Sequence, residues 1–123
     1  MTLNLSPLNK TWIFDLDGTL VVHNGYKIGK DQLLPGVKDF FDAIPTEDFI
    51  LILTAREKEA AEQTIKFLQG AGIRYNEIIF EVPTGERLLF NDDKPSGLVT
   101  SHSVRLKRDE GLKDIRVIID ENL

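Results

Sequence analysis

A chain of 123 residues, 41% of them hydrophobic, suits one domain (1–123) around one core and leaves too little for a second. It has no cysteine, which excludes a disulfide framework and a thiolate zinc site, and its net charge of −5 is the wrong sign for a general phosphate-backbone binder, so nucleic acid is not an expected partner. No apolar run approaches the roughly 18 residues of a membrane span, and MTLNLSPLNK lacks the charged start and apolar stretch of a secretion signal, so a soluble, cytoplasmic protein is expected.

Trp12, Ile13 and Phe14 read as a short buried strand, and Asp15 and Asp17 fall where a parallel strand hands over to its loop. In open α/β sheets ligands bind at that edge. In VVHNGYKI, Asn24-Gly25 between apolar or aromatic flanks predicts a type I′ hairpin, a small flap over the strand edge. Pro35-Gly36 opens a helix with Val37, Phe40, Phe41 and Ile44 at helical spacing, and Pro45 stops it. FILIL (Phe49 to Leu53), apolar throughout, predicts a central strand buried on both faces. From Arg56 to about Gly70 the pattern is helical, with Ala61, Ile65 and Leu68 on one face, a Glu62–Lys66 pair, and stop signals at Gly70 and Gly72. EIIF (Glu77 to Phe80) predicts a third strand, RLLF (Arg87 to Phe90) a fourth, and Ser103 to Leu106 and Ile115 to Ile119 two more. This alternation predicts an α/β fold, a mainly parallel sheet with helices on both faces.

Three of these strands end on polar groups: Asp15 with Asp17, Thr54, and Asp92 with Asp93. A parallel sheet brings such ends together. Gathered carboxylates repel one another unless a cation neutralises them, and all-oxygen ligation with retained waters suits Mg²⁺. A metal so placed can hold a phosphate beside a nucleophilic carboxylate, the arrangement an aspartyl-phosphate intermediate needs. An isolated D-x-D is most simply a turn, but at the end of a buried strand an unpartnered pair of acids would be costly.

The run DLDGTL resembles, in full, the D-x-D-G-T first motif of the haloacid dehalogenase-like (HAD) phosphatase superfamily. The resemblance implies a HAD-like Rossmannoid fold, with Asp15 as nucleophile and Asp17 as general acid and base, its backbone carbonyl also on Mg²⁺. It makes Thr54, closing LILTAR, the hydroxyl that holds the transferring phosphoryl group, and Gly18, Thr54, Ala55 and Arg56 candidate substrate contacts. NDDKP is similar to the fourth motif, with Asp92 as metal ligand and Asp93 as a partner behind it. The resemblance spans residues 11–95. The connections Leu20 to Leu34 and Glu81 to Glu86 are too short for a cap domain, which implies an open site and either a bulky substrate or a neighbouring subunit of a homo-oligomer as lid. NDDKPSG followed by LKRDEG is more loosely similar to small HAD proteins encoded with bacterial surface-polysaccharide genes, implying a phosphorylated sugar as substrate.

The sequence departs from the family at the third motif, usually a lysine: none lies between Phe67 and Asp93. Arg87 lies in that interval but begins the expected fourth strand, which would put it about 16 Å from the acid-bearing edge at about 3.3 Å per residue. Lys94 is therefore the expected catalytic cation, with Arg56 as the alternative. His23 reads as a solvated turn flank, LKRDEG as an exposed mixed-charge segment, and Trp12 as core. Two rival readings remain: a receiver-like phosphoacceptor domain, whose motif order differs, and a catalytically weak HAD-like protein that binds a sugar phosphate or a partner.

Overall fold

In the computed structural model, which describes all of residues 1–123, the chain is α/β with parallel sheets and only two α-helices. Strands β1 (Thr2–Leu5), β2 (Thr11–Asp15), β3 (Phe49–Leu53), β4 (Glu77–Ile79) and β5 (Arg116–Ile119) and helices α1 (Val37–Asp42) and α2 (Ala61–Gly70) follow in the order β1-β2-α1-β3-α2-β4-β5. A three-stranded sheet runs in the order β2-β3-β4, all parallel, and β1 pairs in parallel with β5 as a separate two-stranded sheet. No helix is long and apolar enough to cross a membrane.

The register explains where the core lies. Trp12 sits beside Ile50, Phe14 beside Ile52, and Ile52 beside Ile78, so these side chains share one face of the sheet. Phe14, Ile50 and Ile52 on that face join Val37, Phe41 and Ile44 from α1 and its exit and Leu68 from α2 in one buried cluster. The Phe14 and Phe41 rings lie 4.6 Å apart, and Phe40 meets Trp12 and Phe14 edge-on at 5.7 and 6.2 Å. Such pairs contribute about 0.5–1.5 kcal/mol each beyond the area they bury. Asp48 fastens the start of this sheet: its carboxylate accepts from the Lys10 N–H at 3.1 Å and the Trp12 indole N–H at 2.9 Å. The opposite face is open, with Ile13, Phe49 and Ile79 each between 42 and 48% exposed. FILIL is thus the central strand, but Leu51 and Leu53 are only half-buried, and the few helices leave that face without a full cover.

Several sequence expectations give way to local chemistry. A type I′ turn needs positive φ at both central residues. Only Asn24 has it, at 57°, and Gly25–Ile28 forms a 3₁₀ turn instead of a hairpin tip. The flap survives at its base, where the Val22 N–H reaches the Gln32 carbonyl and the Leu34 N–H the Leu20 carbonyl, with Val21 bridging antiparallel to Leu33. The second helix starts at Ala61, not at Arg56, because Glu57 is extended and a 3₁₀ turn at Lys58–Ala60 intervenes. Its Glu62–Lys66 pair forms, at 3.2 Å.

Arg87 to Phe90 and Ser103 to Leu106 are not strands. An apolar run becomes a strand only against a pairing edge and a surface to cover, and Leu88, Leu89 and Phe90 have neither, at 79, 59 and 88% exposure. Conversely, TLNL alternates apolar and polar over only four residues, and it becomes β1 because β5 supplies its partner. The chain returns to β5 across the start of α1: the Leu112 N–H donates to the Pro35 carbonyl at 2.9 Å. Gly111 permits this approach, with φ at 76° and no room for a Cβ against Pro35.

Candidate active site

Asp15 is the last residue of β2 and pairs in register with Leu53, so the next residue of the neighbouring strand, Thr54, stands at the same carboxyl edge. Beyond Asp15 the chain turns sharply. The N–H groups of Thr19, Leu20 and Val21 converge on the Leu16 carbonyl, the Gly18 N–H donates to the Val21 carbonyl, and Gly18 takes a φ of 84° that a side chain would strain. This turn lets the Thr19 hydroxyl donate to Asp15 Oδ2 at 3.2 Å. The segment LKRDEG also docks here: the Asp109 N–H donates to the Gly18 carbonyl, while its carboxylate accepts from the His23 N–H at 2.8 Å. That segment is exposed from Lys107 to Glu110, as expected, yet Asp109 ties it to the acid-bearing turn, and His23 is held there with a buried Nδ1.

Asp17 is gripped by Arg56. The guanidinium donates through Nε to Asp17 Oδ2 at 3.0 Å and through Nη2 to Asp17 Oδ1 at 2.8 Å. Its other side donates to both oxygens of Asp31, at 3.0 and 2.6 Å, and to the Thr64 hydroxyl at 2.9 Å. All five N–H donors of the guanidinium are thereby used. Arg56 therefore has none left to grip a phosphate, which corrects its expected role as a substrate contact. Burial works against its charge, but the hydrogen bonds and charges of Asp17 and Asp31 outweigh that and hold its pKa above the ordinary value. Tyr26, from the 3₁₀ turn, lays its ring 3.9 Å from the guanidinium carbon, while its hydroxyl donates to Glu57 at 3.2 Å.

Thr54 is buried. Its N–H and carbonyl extend the parallel ladder to Ile79 and Val82, and its hydroxyl oxygen accepts from the Arg56 N–H at 3.1 Å. Ala55 is exposed at the same edge.

The cation paired with Asp15 is Arg87, with Nη2 3.6 Å from Asp15 Oδ1. The 16 Å separation assumed a strand between Arg87 and the acids; without one, the loop folds Arg87 back over the edge. Lys94 is exposed and makes no ion pair, its backbone being used in a turn with Gly97 and Leu98. Asp92 and Asp93 are exposed too, and the Asp92 carbonyl is bonded by Thr100 and Asn91. The structure thus joins Asp15, Asp17, Thr54 and Arg56, and leaves Asp92, Asp93 and Lys94 in the irregular segment that follows. No three acidic, histidine or cysteine side chains gather closely enough to hold a metal ion.

Arginines pair with the acids, Arg56 with Asp17 and Asp31 and Arg87 with Asp15. Burial pushes the Asp15 carboxyl above the ordinary aspartate range, against the lowering effects of the Thr19 hydroxyl and Arg87. Sequence reasoning missed Asp31 and Tyr26, since neither belongs to a motif. Thr19 lay in plain view as the last residue of D-x-D-G-T.

No protein-family model and no curated protein matches the chain. Among solved structures, a chain of the structure described as "Structure of Pnkp1/Rnl/Hen1 complex" is similar, with 29% identity and a TM-score of 0.52. The match covers 67% of this chain and 31% of that one, so this chain spans about a third of that neighbour's length.

Proposed function

We propose that the chain is a phosphomonoester hydrolase of the HAD-like type that works through an aspartyl-phosphate on Asp15. The observation that carries this reading is the setting of Asp15: a half-exposed carboxylate at the end of a parallel strand, with a guanidinium 3.6 Å away and Thr54 ending the adjacent strand. In the first step an Asp15 oxygen attacks phosphorus, the bond to the leaving oxygen breaks, and Asp17, entering the cycle protonated on a lone pair that Arg56 does not use, supplies that oxygen's proton. In the second, Asp17 takes a proton from water, the water oxygen attacks phosphorus, and the Asp15–phosphate bond breaks to release inorganic phosphate. Arg87 balances the charge that the phosphoryl group brings to Asp15.

Mg²⁺ is bound in proteins by one or two carboxylates, waters and substrate phosphate. That modest demand fits the donors at this edge: the Asp15 carboxylate, whose ionised form burial disfavours and a cation would favour, and the Asp17 main-chain carbonyl. When bound, the ion would neutralise phosphate oxygens. The expected third ligand, Asp92, is not among the gathered donors.

We assign a phosphorylated sugar or related small metabolite as substrate and a second copy of the chain as partner. The half-exposed Ile13, Phe49 and Ile79 and the uncovered Leu88 to Phe90 supply apolar surface for such an association. The exposed Asp92 and Lys94 favour one second reading, a phosphate-binding protein with little turnover. Phosphate release from a panel of sugar phosphates with Mg²⁺, alongside acid-stable or trapped phosphoenzyme, separates the two: the hydrolase reading requires continuous release and predicts its loss in Asp15→Asn.

A further inference from the structure

The geometry points to Asp31 as a positioning residue that aims Asp17, acting through Arg56; the inference rests on the hydrolase reading above. Asp31 and Arg56 are almost wholly enclosed, their side chains 2 and 1% exposed, whereas the Asp17 side chain keeps 16% of its surface open. Asp31 therefore touches no substrate. What it does touch is the outer side of the guanidinium whose inner side holds both Asp17 oxygens. A planar fork bonded at both ends has no freedom to rotate, so the position of Asp31 fixes the plane of the Asp17 carboxylate. Asp31 is itself anchored, because the next residue, Gln32, accepts the Val22 N–H at the base of the flap. Thr64 holds Nη1 from α2, and Tyr26 closes the face of the guanidinium.

Stability alone gives a poor account of this arrangement. A buried ion pair recovers little more than its desolvation cost, and apolar replacements of equal volume often do as well. Orientation of a proton-transfer group is different: a displacement of about 1 Å can cost about 10²-fold in rate.

The test uses p-nitrophenyl phosphate, whose leaving group departs without a proton. Phosphorylation of Asp15 then proceeds without Asp17, whereas hydrolysis of the phosphoenzyme still needs it. Asp31→Asn keeps the shape of the side chain and removes its charge. The expected result is a burst of nitrophenol stoichiometric with enzyme, a steady rate lower by about 10- to 100-fold, and an unraised KM. Arg56→Lys, which keeps the charge and loses the fork, should behave alike, and it carries the test if Asp31→Asn does not fold. Asp31→Glu should recover part of the steady rate. A folded Asp31→Asn enzyme with the wild-type steady rate, or one in which burst and steady rate fall together, overturns the proposal. A wild-type chain that forms no phosphoenzyme overturns the hydrolase reading and this inference with it.

Discussion

Replacing Arg87 by alanine separates a catalytic cation from a surface charge. The Arg87 and Asp15 side chains are 39 and 41% exposed and 3.6 Å apart, a pair of a kind that contributes about 0–1 kcal/mol to stability. Arg87→Ala should therefore lower the melting temperature by no more than about 4 °C for a domain of this size. Its effect on the reaction should be larger, because transfer of a phosphoryl group to Asp15 brings further negative charge to the guanidinium. Losing one preorganised donor at a developing oxyanion costs about 10²- to 10³-fold, and the exposure of Arg87 argues for the lower end. The assay is kcat/KM on p-nitrophenyl phosphate at saturating Mg²⁺, with Lys94→Ala as the comparison and a calorimetric scan of each variant. Lys94 makes no ion pair, so Lys94→Ala should stay within about threefold of wild type. An Arg87→Ala enzyme as active as wild type, or a greater loss in Lys94→Ala, would refute the assignment of the cation.

Asp15→Asn should abolish phosphoenzyme formation and also alter the pH dependence of stability. Burial raises the Asp15 pKa in the folded chain, so that chain binds the proton more tightly than the unfolded one; the associated stability is present at low pH and lost as pH rises from the ordinary aspartate range through the raised value. Denaturant titrations across that interval should show a flatter profile in Asp15→Asn, and an unchanged slope would contradict the burial argument. Removing metal with EDTA should stop turnover, and Mg²⁺ at 100 times its dissociation constant should add about 2.7 kcal/mol, or roughly 10 °C. Asp48→Ala leaves the Lys10 and Trp12 donors unpaired and should cost about 2–4 kcal/mol, measured as a fall in the urea midpoint. A loss below about 0.5 kcal/mol would mean that water replaces the carboxylate at both donors.

What was legible in the sequence is what short-range pattern dictates. The runs Trp12 to Phe14, Phe49 to Leu53 and Glu77 to Phe80, the last shortened by one residue, form parallel neighbours, and the helices fall within Pro35 to Pro45 and Arg56 to Gly70. D-x-D-G-T announced the turn that carries the acids. Arg87 to Phe90 has the composition of a strand, but pairing is a long-range property, and no edge receives it here. Asp31 was illegible for a related reason: an acid in a polar loop shows no period, and only the folded chain brings it to an arginine 25 residues away. Arg87 is illegible as a neighbour of Asp15 because its distance from the acids depends on a strand that does not form.

The two acids of DLD differ through their neighbours. Strand alternation sends Leu16 into the core, where it is 1% exposed, and leaves Asp15 and Asp17 on its other side. Anchored by that leucine, two identical side chains separated by one residue meet different surroundings. Asp15 keeps a hydroxyl and a loosely placed guanidinium, so a phosphorus atom can approach it. Asp17 has both oxygens fixed by a fork that cannot turn, which suits a group that must hold one direction while protons pass. Exchanging the roles would ask a clamped carboxylate to form a covalent bond and a freer one to aim a water, and each would then lose the property its surroundings provide. The contacts of each acid thus support the proposed division of labour, with the nucleophile at Asp15 and proton transfer at Asp17.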